Sequence, residues 1–366
     1  MRPTPPKASV LSRRISTVLI TGGSGFIGSN LAYSFLCEGR TVVIVDNLSR
    51  PGIAENLAWL KDHFPDRVKF QQADVRDRAA IAPAFEEADA VFHLAAQTAV
   101  TTSLKAPLDD FMVNALGTLN VLDIVRCGGR RIPVIFASTN KVYGDLSDLE
   151  LMRSPGGYVP RDAFIRSRGI DEAAGLSFCS PYGCSKGVAD QYVLDFAKSY
   201  EIPTAVLRMS CIFGPRQFGT EDQGWVAHFI LRVLSGEPVV IFGDGEQVRD
   251  ILYVGDAVSA YRAVLDAIDR LEGQAFNLGG GPENAISLNL LLQELASMTG
   301  VEAEVRYSEQ RRGDQLYFVA DTRKLQAAVG WEAKVGWREG VRQLTQWLSA
   351  HRVPAGLSRR LKKVTA

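Results

Sequence analysis

The chain has 366 residues, 46% hydrophobic and 22% charged, a balance typical of a soluble globular protein rather than a fibre or a disordered tail. Its 41 basic and 41 acidic side chains cancel, so no global field draws it to nucleic acid or an anionic membrane, and no apolar run approaches the ~18 residues that span a bilayer. Five cysteines without a Cys-x-x-Cys imply reduced thiols in a cytoplasmic setting, and four scattered histidines lack metal-ligand spacing, so no metal is expected.

Met1 to Ser16 has no apolar core of the kind a secretion signal needs and reads as a flexible extension. Thr17-Val18-Leu19-Ile20 is a β-type run, and Thr21-Gly22-Gly23-Ser24-Gly25-Phe26-Ile27-Gly28 leads from it into a helix through Leu31, Phe35 and Leu36. Glycines here allow a tight turn and close approach of the backbone to a pyrophosphate, whose charge the helix N-terminus stabilises. Two registers fit, Gly23-x-Gly25-x-x-Gly28 and Gly22-x-x-Gly25-x-x-Gly28. A glycine-rich turn alone says little. Here the next apolar run, Thr41 to Val45, ends in Asp46, placed to accept hydrogen bonds from a ribose diol and repel a 2′-phosphate. The pattern favours NAD over NADP, with Arg50 as the counter-indication.

Further runs follow at Val68 to Gln71, Ala90 to Leu94 and Ile132 to Phe136, with a helical stretch from Val113 to Val125 before the last. Alternation at this spacing predicts a parallel, doubly wound α/β sheet with ligands at the carboxyl ends of its strands. Asp74, Ala95, Gln97 and Asn114 lie near those ends, although each also suits ordinary turn or cap chemistry.

Ser180-Pro181-Tyr182-Gly183-Cys184-Ser185-Lys186 opens a predicted helix carried by Val188, Tyr192, Val193 and Phe196 to Tyr200. Residues four apart share a helix face, so Tyr182 and Lys186 project into one space. A phenol usable at neutral pH needs about three units of depression, or ~4 kcal/mol. One cation at about 4 Å with an effective dielectric near 20 supplies roughly that much. The pair is therefore expected to serve as an acid/base without further help. The bland alternative is a solvated Tyr–Lys pair on a helix surface.

Taken together, Thr21 to Gly28, Asp46-Asn47-Leu48-Ser49, Thr139 to Gly144, Tyr182 with Lys186, and Arg249-Asp250 resemble the extended short-chain dehydrogenases/reductases of the NAD-dependent epimerase/dehydratase family. The likeness runs from about Thr17 to about Leu348. It implies a Rossmann-type sheet with a smaller, interleaved substrate domain, and Thr139, Tyr182 and Lys186 as the catalytic trio. It also implies NAD held by Gly22, Gly25, Phe26, Ile27, Gly28, Asp46, Asn47, Ser49, Arg50, Asp74, Val75, Leu94, Ala95, Ala96, Gln97, Asn114 and Ser138, together with Tyr182 and Lys186. A nucleotide sugar would meet Thr139, Asn140, Lys141, Ser210, Arg216, Gln217, Arg249 and Arg311.

Dehydratases of this family resemble one another in carrying an Asp-Glu pair after the catalytic hydroxyl, an acid and a base for elimination. Here those slots hold Asn140 and Lys141, which favours oxidation and re-reduction, that is, epimerisation. The runs Ser138 to Leu146, Ser180 to Gly187, Arg216-Gln217-Phe218 and Asp222 to Val226 are similar to the branch of CDP-sugar 2-epimerases. UDP-sugar 4-epimerases generally show an asparagine where Cys211 stands. A 4-epimerase, a dehydratase and a non-catalytic NAD-binding scaffold remain the alternatives.

Residues 17–208 are expected to form the NAD-binding half, with segments near 239–277 returning to it, and 209–350 mainly the nucleotide-sugar half. Residues 351–366 read as a basic solvated tail, and Arg312 as part of a solvated charge cluster. The family resemblance implies a homodimer or higher homo-oligomer through helices near Asp109 to Arg126 and Tyr182 to Ser199.

Overall fold

The computed structural model describes residues 15–271, 273–311 and 313–352. Arg312 and nearly all of the expected basic tail and of the N-terminal extension lie outside the described residues; His351 ends the helix Trp337–His351.

Seven parallel strands form the main sheet: β1 (Thr17–Thr21), β2 (Thr41–Asp46), β3 (Val68–Gln72), β4 (Ala90–His93), β5 (Val134–Thr139), β6 (Thr204–Met209) and β7 (Gln274–Leu278). Their spatial order is β7-β6-β5-β4-β1-β2-β3. Every neighbouring pair is parallel, so each connection crosses the sheet and both faces are covered. Alternation along β1 divides the core. Val18 and Ile20 pack with Leu31 and Phe35 of the helix Phe26–Cys37 and with Tyr261 and Val264 of the helix Val254–Leu271. Leu19 faces the other layer, with Val121 and Val125 of the helix Gly117–Cys127 and Val193 and Phe196 of the helix Pro181–Tyr200.

The order reverses beside β1, where the chain winds outward to β2 in one direction and to β4 in the other. That switch point leaves a crevice at the carboxyl ends of the strands, where Gly22, Asp46, Ala95 and Thr139 all emerge.

The smaller half pairs Val248–Tyr253 with Cys211–Phe213, Ala285–Ser287 and Tyr317–Phe318. Phe229, Ile230, Leu291, Leu295, Leu344 and Leu348, from three helices, cover it. Of the 239–277 stretch expected back on the main sheet, Val254–Leu271 and β7 return there. Val239–Phe242 instead pairs in parallel with Val305–Ser308. The halves are interleaved.

Two local predictions shift. The fifth strand begins at Val134 and runs to Thr139, because Pro133 has no N–H to give the ladder. The expected helix from Val113 is broken by a π-helical turn, Met112–Leu116, before Gly117–Cys127 continues. Such turns concentrate at functional sites. Among the described residues no helix is long and apolar enough to cross a membrane.

Candidate active site

The dinucleotide turn is built from backbone. Gly22 has φ +69°, and a Cβ there would lie 2.7 Å from the Ala95 backbone nitrogen. Gly25 caps the helix Phe26–Cys37 in an extended conformation with no side-chain cap, so the first-turn N–H groups stay open to an anion. A Cβ on Gly28 would collide with the Gly22 carbonyl oxygen. The register is therefore Gly22-Gly25-Gly28; Gly23 packs against Ile44 instead.

Asp46 is buried at the end of β2. Its Oδ2 accepts from Ser24 N at 3.1 Å and its Oδ1 from Leu48 N at 2.9 Å, which leaves lone pairs for a ribose diol. Burial raises its pKa, opposed by those bonds and by Arg50. A backbone cradle for phosphate beside a carboxylate for ribose fits a dinucleotide. NAD would be held there, with half-buried Phe26 and Ile27 opening the helix, and Leu94, Ala95 and Ala96 forming the opposite wall. Asn47 and Ser49 sit on the exposed rim, where Asn47 Nδ2 donates to Asp74 at 2.8 Å. Asp74 is otherwise engaged by Arg76, which draws its pKa down to about 2. Val75 is buried against Gly117.

Beyond the crevice Tyr182 and Lys186 project from the first two turns of Pro181–Tyr200. Pro181 starts that helix, and Ser180 Oγ accepts from Gly183 N at 3.1 Å. Both side chains are buried, which differs from a solvated surface pair. Lys186 Nζ donates to the Ala137 carbonyl at 2.6 Å and lies 4.0 Å from the Phe136 ring centroid. Burial pushes Lys186 down to about 7, opposed by Asp190 and Asp110. Burial likewise pushes the Tyr182 phenol up to about 12; the Thr139 hydroxyl and Arg50 hold it down, and Asp110 pushes it further up. The expected unaided depression is thus not met. A dry pocket disfavours both charges.

Two buried networks fix this helix from behind. Asp190 accepts from Arg208 Nε and Nη2, both at 3.0 Å, and from Ser138 Oγ at 2.8 Å. Ser138 therefore turns toward Asp190. Asn114, inside the π-turn, exchanges hydrogen bonds with the Gln97 backbone at 2.9 and 3.0 Å and donates to Ser185 Oγ at 3.0 Å. Asp110 joins this second network through Gln97 Nε2 at 2.8 Å. His93 is a core residue, bonded to Thr21 and Thr118 at 2.7 and 3.0 Å.

On the substrate side Thr139, at the tip of β5, caps the short helix that follows by accepting from Lys141 N at 3.2 Å. Asn140 Nδ2 donates to Gln315 Oε1 at 3.1 Å. Lys141 Nζ and Arg249 Nη2 converge on Asp314 Oδ1 at 3.2 and 2.8 Å. Ser210 donates to Asp250, whose pKa burial raises to about 6. Arg216 and Arg311 are each held by neighbours of their own. Arg216 has φ +72° and stacks 3.8 Å from the Trp59 ring centroid, against the dinucleotide half, beside buried Gln217. Arg311 pairs with Glu221 at 2.9 Å and covers the Phe242 ring.

Sequence reasoning missed Asp110, Asp190, Asp314 and Gln315. Asp190 lies one turn beyond Lys186, and Gln315 lies four residues beyond Arg311, so spacing offered a hint for those two. Asp110 reads as an ordinary first-turn helix acid.

This combination of glycine turn, acid-tipped second strand and Thr–Tyr–Lys trio defines a class: the chain belongs to the NAD dependent epimerase/dehydratase family, whose profile matches residues 18–279. Among its relatives, the CDP-paratose 2-epimerase of Salmonella typhi is 40% identical over 340 residues, covering 91% of this chain and 99% of that protein. The UDP-glucose 4-epimerase of Thermus thermophilus, solved in complex with NAD, is 33% identical with a TM-score of 0.77, covering 92% of this chain and 99% of that one. The Thermotoga maritima UDP-glucose 4-epimerase, solved with UDP-glucose, is 32% identical at the same TM-score, covering 91% and 99%.

Proposed function

We propose that this protein is an NAD-dependent nucleotide-sugar epimerase that inverts C2 of CDP-paratose to give CDP-tyvelose through a 2-keto sugar. The observation that carries the reading is the near full-length 40% identity to a CDP-paratose 2-epimerase. The missing carboxylate pair after Thr139 supports it: Asn140 and Lys141 offer no acid–base couple for expelling water.

NAD, when bound, supplies a reversible hydride acceptor and a positive ring that favours the phenolate. Tyr182 takes the proton of the C2 hydroxyl as the C2–H bond is broken, and Thr139 shares that hydrogen bond. Lys186 holds a positive charge against the Ala137 carbonyl. After the keto sugar turns its other face, the hydrogen is restored to C2 and Tyr182 returns the proton. The cycle has no net redox. Arg249, with a planar fork suited to paired oxygens, is assigned the diphosphate, with Lys141 beside it.

A UDP-sugar 4-epimerase is the second reading, favoured by the likeness to solved UDP-glucose 4-epimerases. Incubation with CDP-paratose and UDP-glucose, followed by product separation, tests both. CDP-tyvelose without free NADH supports the first, and UDP-galactose alone overturns it.

Leu104, Leu108, Phe111, Tyr192 and Tyr200 leave an exposed apolar face on the helices around 100–111 and 181–200. It supports a homo-oligomer assembled through that face. Five free cysteines suit a cytoplasmic enzyme.

A further inference from the structure

Resting on the epimerase reading, we propose that Asp110 is a positioning residue of the reaction: a buried carboxylate, held by Ser185, Gln97 and Asn114, whose fixed charge decides where the proton of the Tyr182–Lys186 pair resides. Asp110 is 1% exposed, on the short helix Pro107–Phe111. Ser185, which sits between Tyr182 and Lys186 on their helix, donates to its Oδ2 at 2.5 Å. Gln97 Nε2 and Asn114 Nδ2 donate to its Oδ1 at 2.8 and 3.2 Å.

All three partners are neutral. The other carboxylate facing Lys186, Asp190, has its charge answered by the Arg208 guanidinium. Among the described residues no cation is hydrogen-bonded to Asp110, so Lys186 is the ammonium its charge can act on. Capping a helix would not require such burial. Asp109, its neighbour, already occupies the first turn, stays exposed and pairs with Arg76.

Burial, with Asp109, raises the pKa of Asp110, and Ser185, Gln97 and Lys186 oppose that; once ionised, the carboxylate acts on both members of the pair with one sign. It keeps the ammonium protonated and opposes the phenolate. The other groups facing Tyr182 are Arg50 and the Thr139 hydroxyl. Those facing Lys186 are Asp190 and, from β4, His93, which burial pushes down to about 3 and keeps neutral. With Asp110 in place, the free site stores its protons until a cation enters the groove.

Asp110→Asn keeps the shape and removes the charge. Both limbs of the pH–rate profile with CDP-paratose should then move to lower pH together, by roughly 1 unit each. The Lys186 ammonium, followed by NMR in protein without substrate, should titrate lower by a similar amount. Asp109→Asn removes the exposed charge one residue away, which pairs with Arg76, and should leave both limbs where they are. Unmoved limbs and an unmoved Lys186 titration in Asp110→Asn would overturn the proposal. If that variant does not fold, carboxyl NMR of the wild-type protein decides: an ionised Asp110 at neutral pH supports the proposal and a protonated one overturns it. Failure of the epimerase reading would appear separately, as no sugar turnover by the wild-type enzyme.

Discussion

Lys186 is anchored by the carbonyl of Ala137, 2.6 Å from its Nζ, in a pocket walled by the ring of Phe136. Burial lowers its pKa from 10.5 to about 7 in the free protein. Between those values the unfolded chain holds more protons than the folded one, so this residue makes stability rise with pH across that window. Lys186→Met removes the contribution. The stability difference between wild type and variant, measured by urea unfolding of ligand-free protein, should shift in favour of wild type from pH 7 toward pH 10. A difference that stays flat would contradict the buried, depressed ammonium.

In the proposed reaction Tyr182 carries the proton, and it lies on the helix Pro181–Tyr200 rather than in the dinucleotide turn. Tyr182→Phe should therefore lower kcat by ~10²–10⁴. NAD affinity by calorimetry should stay within a few-fold of wild type. Near-normal turnover in this variant would remove the phenol from the mechanism.

Gly28 lies where a Cβ would collide with the Gly22 carbonyl oxygen. Gly28→Ala should push the helix Phe26–Cys37 away from β1 and cost at least ten-fold in NAD affinity, with a lower melting temperature. Asp46→Ala should weaken NAD with little change in melting temperature, because its carboxylate is met by the backbone N–H groups of Ser24 and Leu48 at a loop. Calorimetry and thermal unfolding of the two variants separate these outcomes.

Asp314 holds Lys141 and Arg249 on one oxygen. Lys141→Met should raise KM for the nucleotide sugar about ten-fold while kcat falls less, the signature of uniform binding lost. Equal losses in kcat and kcat/KM with unchanged KM would assign Lys141 to the chemical step instead.

The features legible in the sequence are those with short-range grammar. Strand–helix alternation, the glycine turn, the acid ending β2 and the i, i+4 pair at Tyr182 and Lys186 all follow from period and spacing. The site's supporting contacts join distant segments: Ser185 to Asp110 across 75 positions, Lys141 to Asp314 across 173, and Asn56 to the Arg216 carbonyl across 160. No local pattern marks such partners. The phenol's pKa failed expectation for the same reason. Four-residue spacing fixes which face the pair shares, whereas burial, set by the whole sheet and its helices, fixes the charge.

The most direct test of the account is the hydrogen at the inverted carbon. Epimerisation of CDP-paratose in deuterated water should yield CDP-tyvelose that keeps its original C2 hydrogen, with NAD recovered unchanged. Deuterium at C2 would mean that a proton, rather than a hydride, leaves and returns there, and would contradict it.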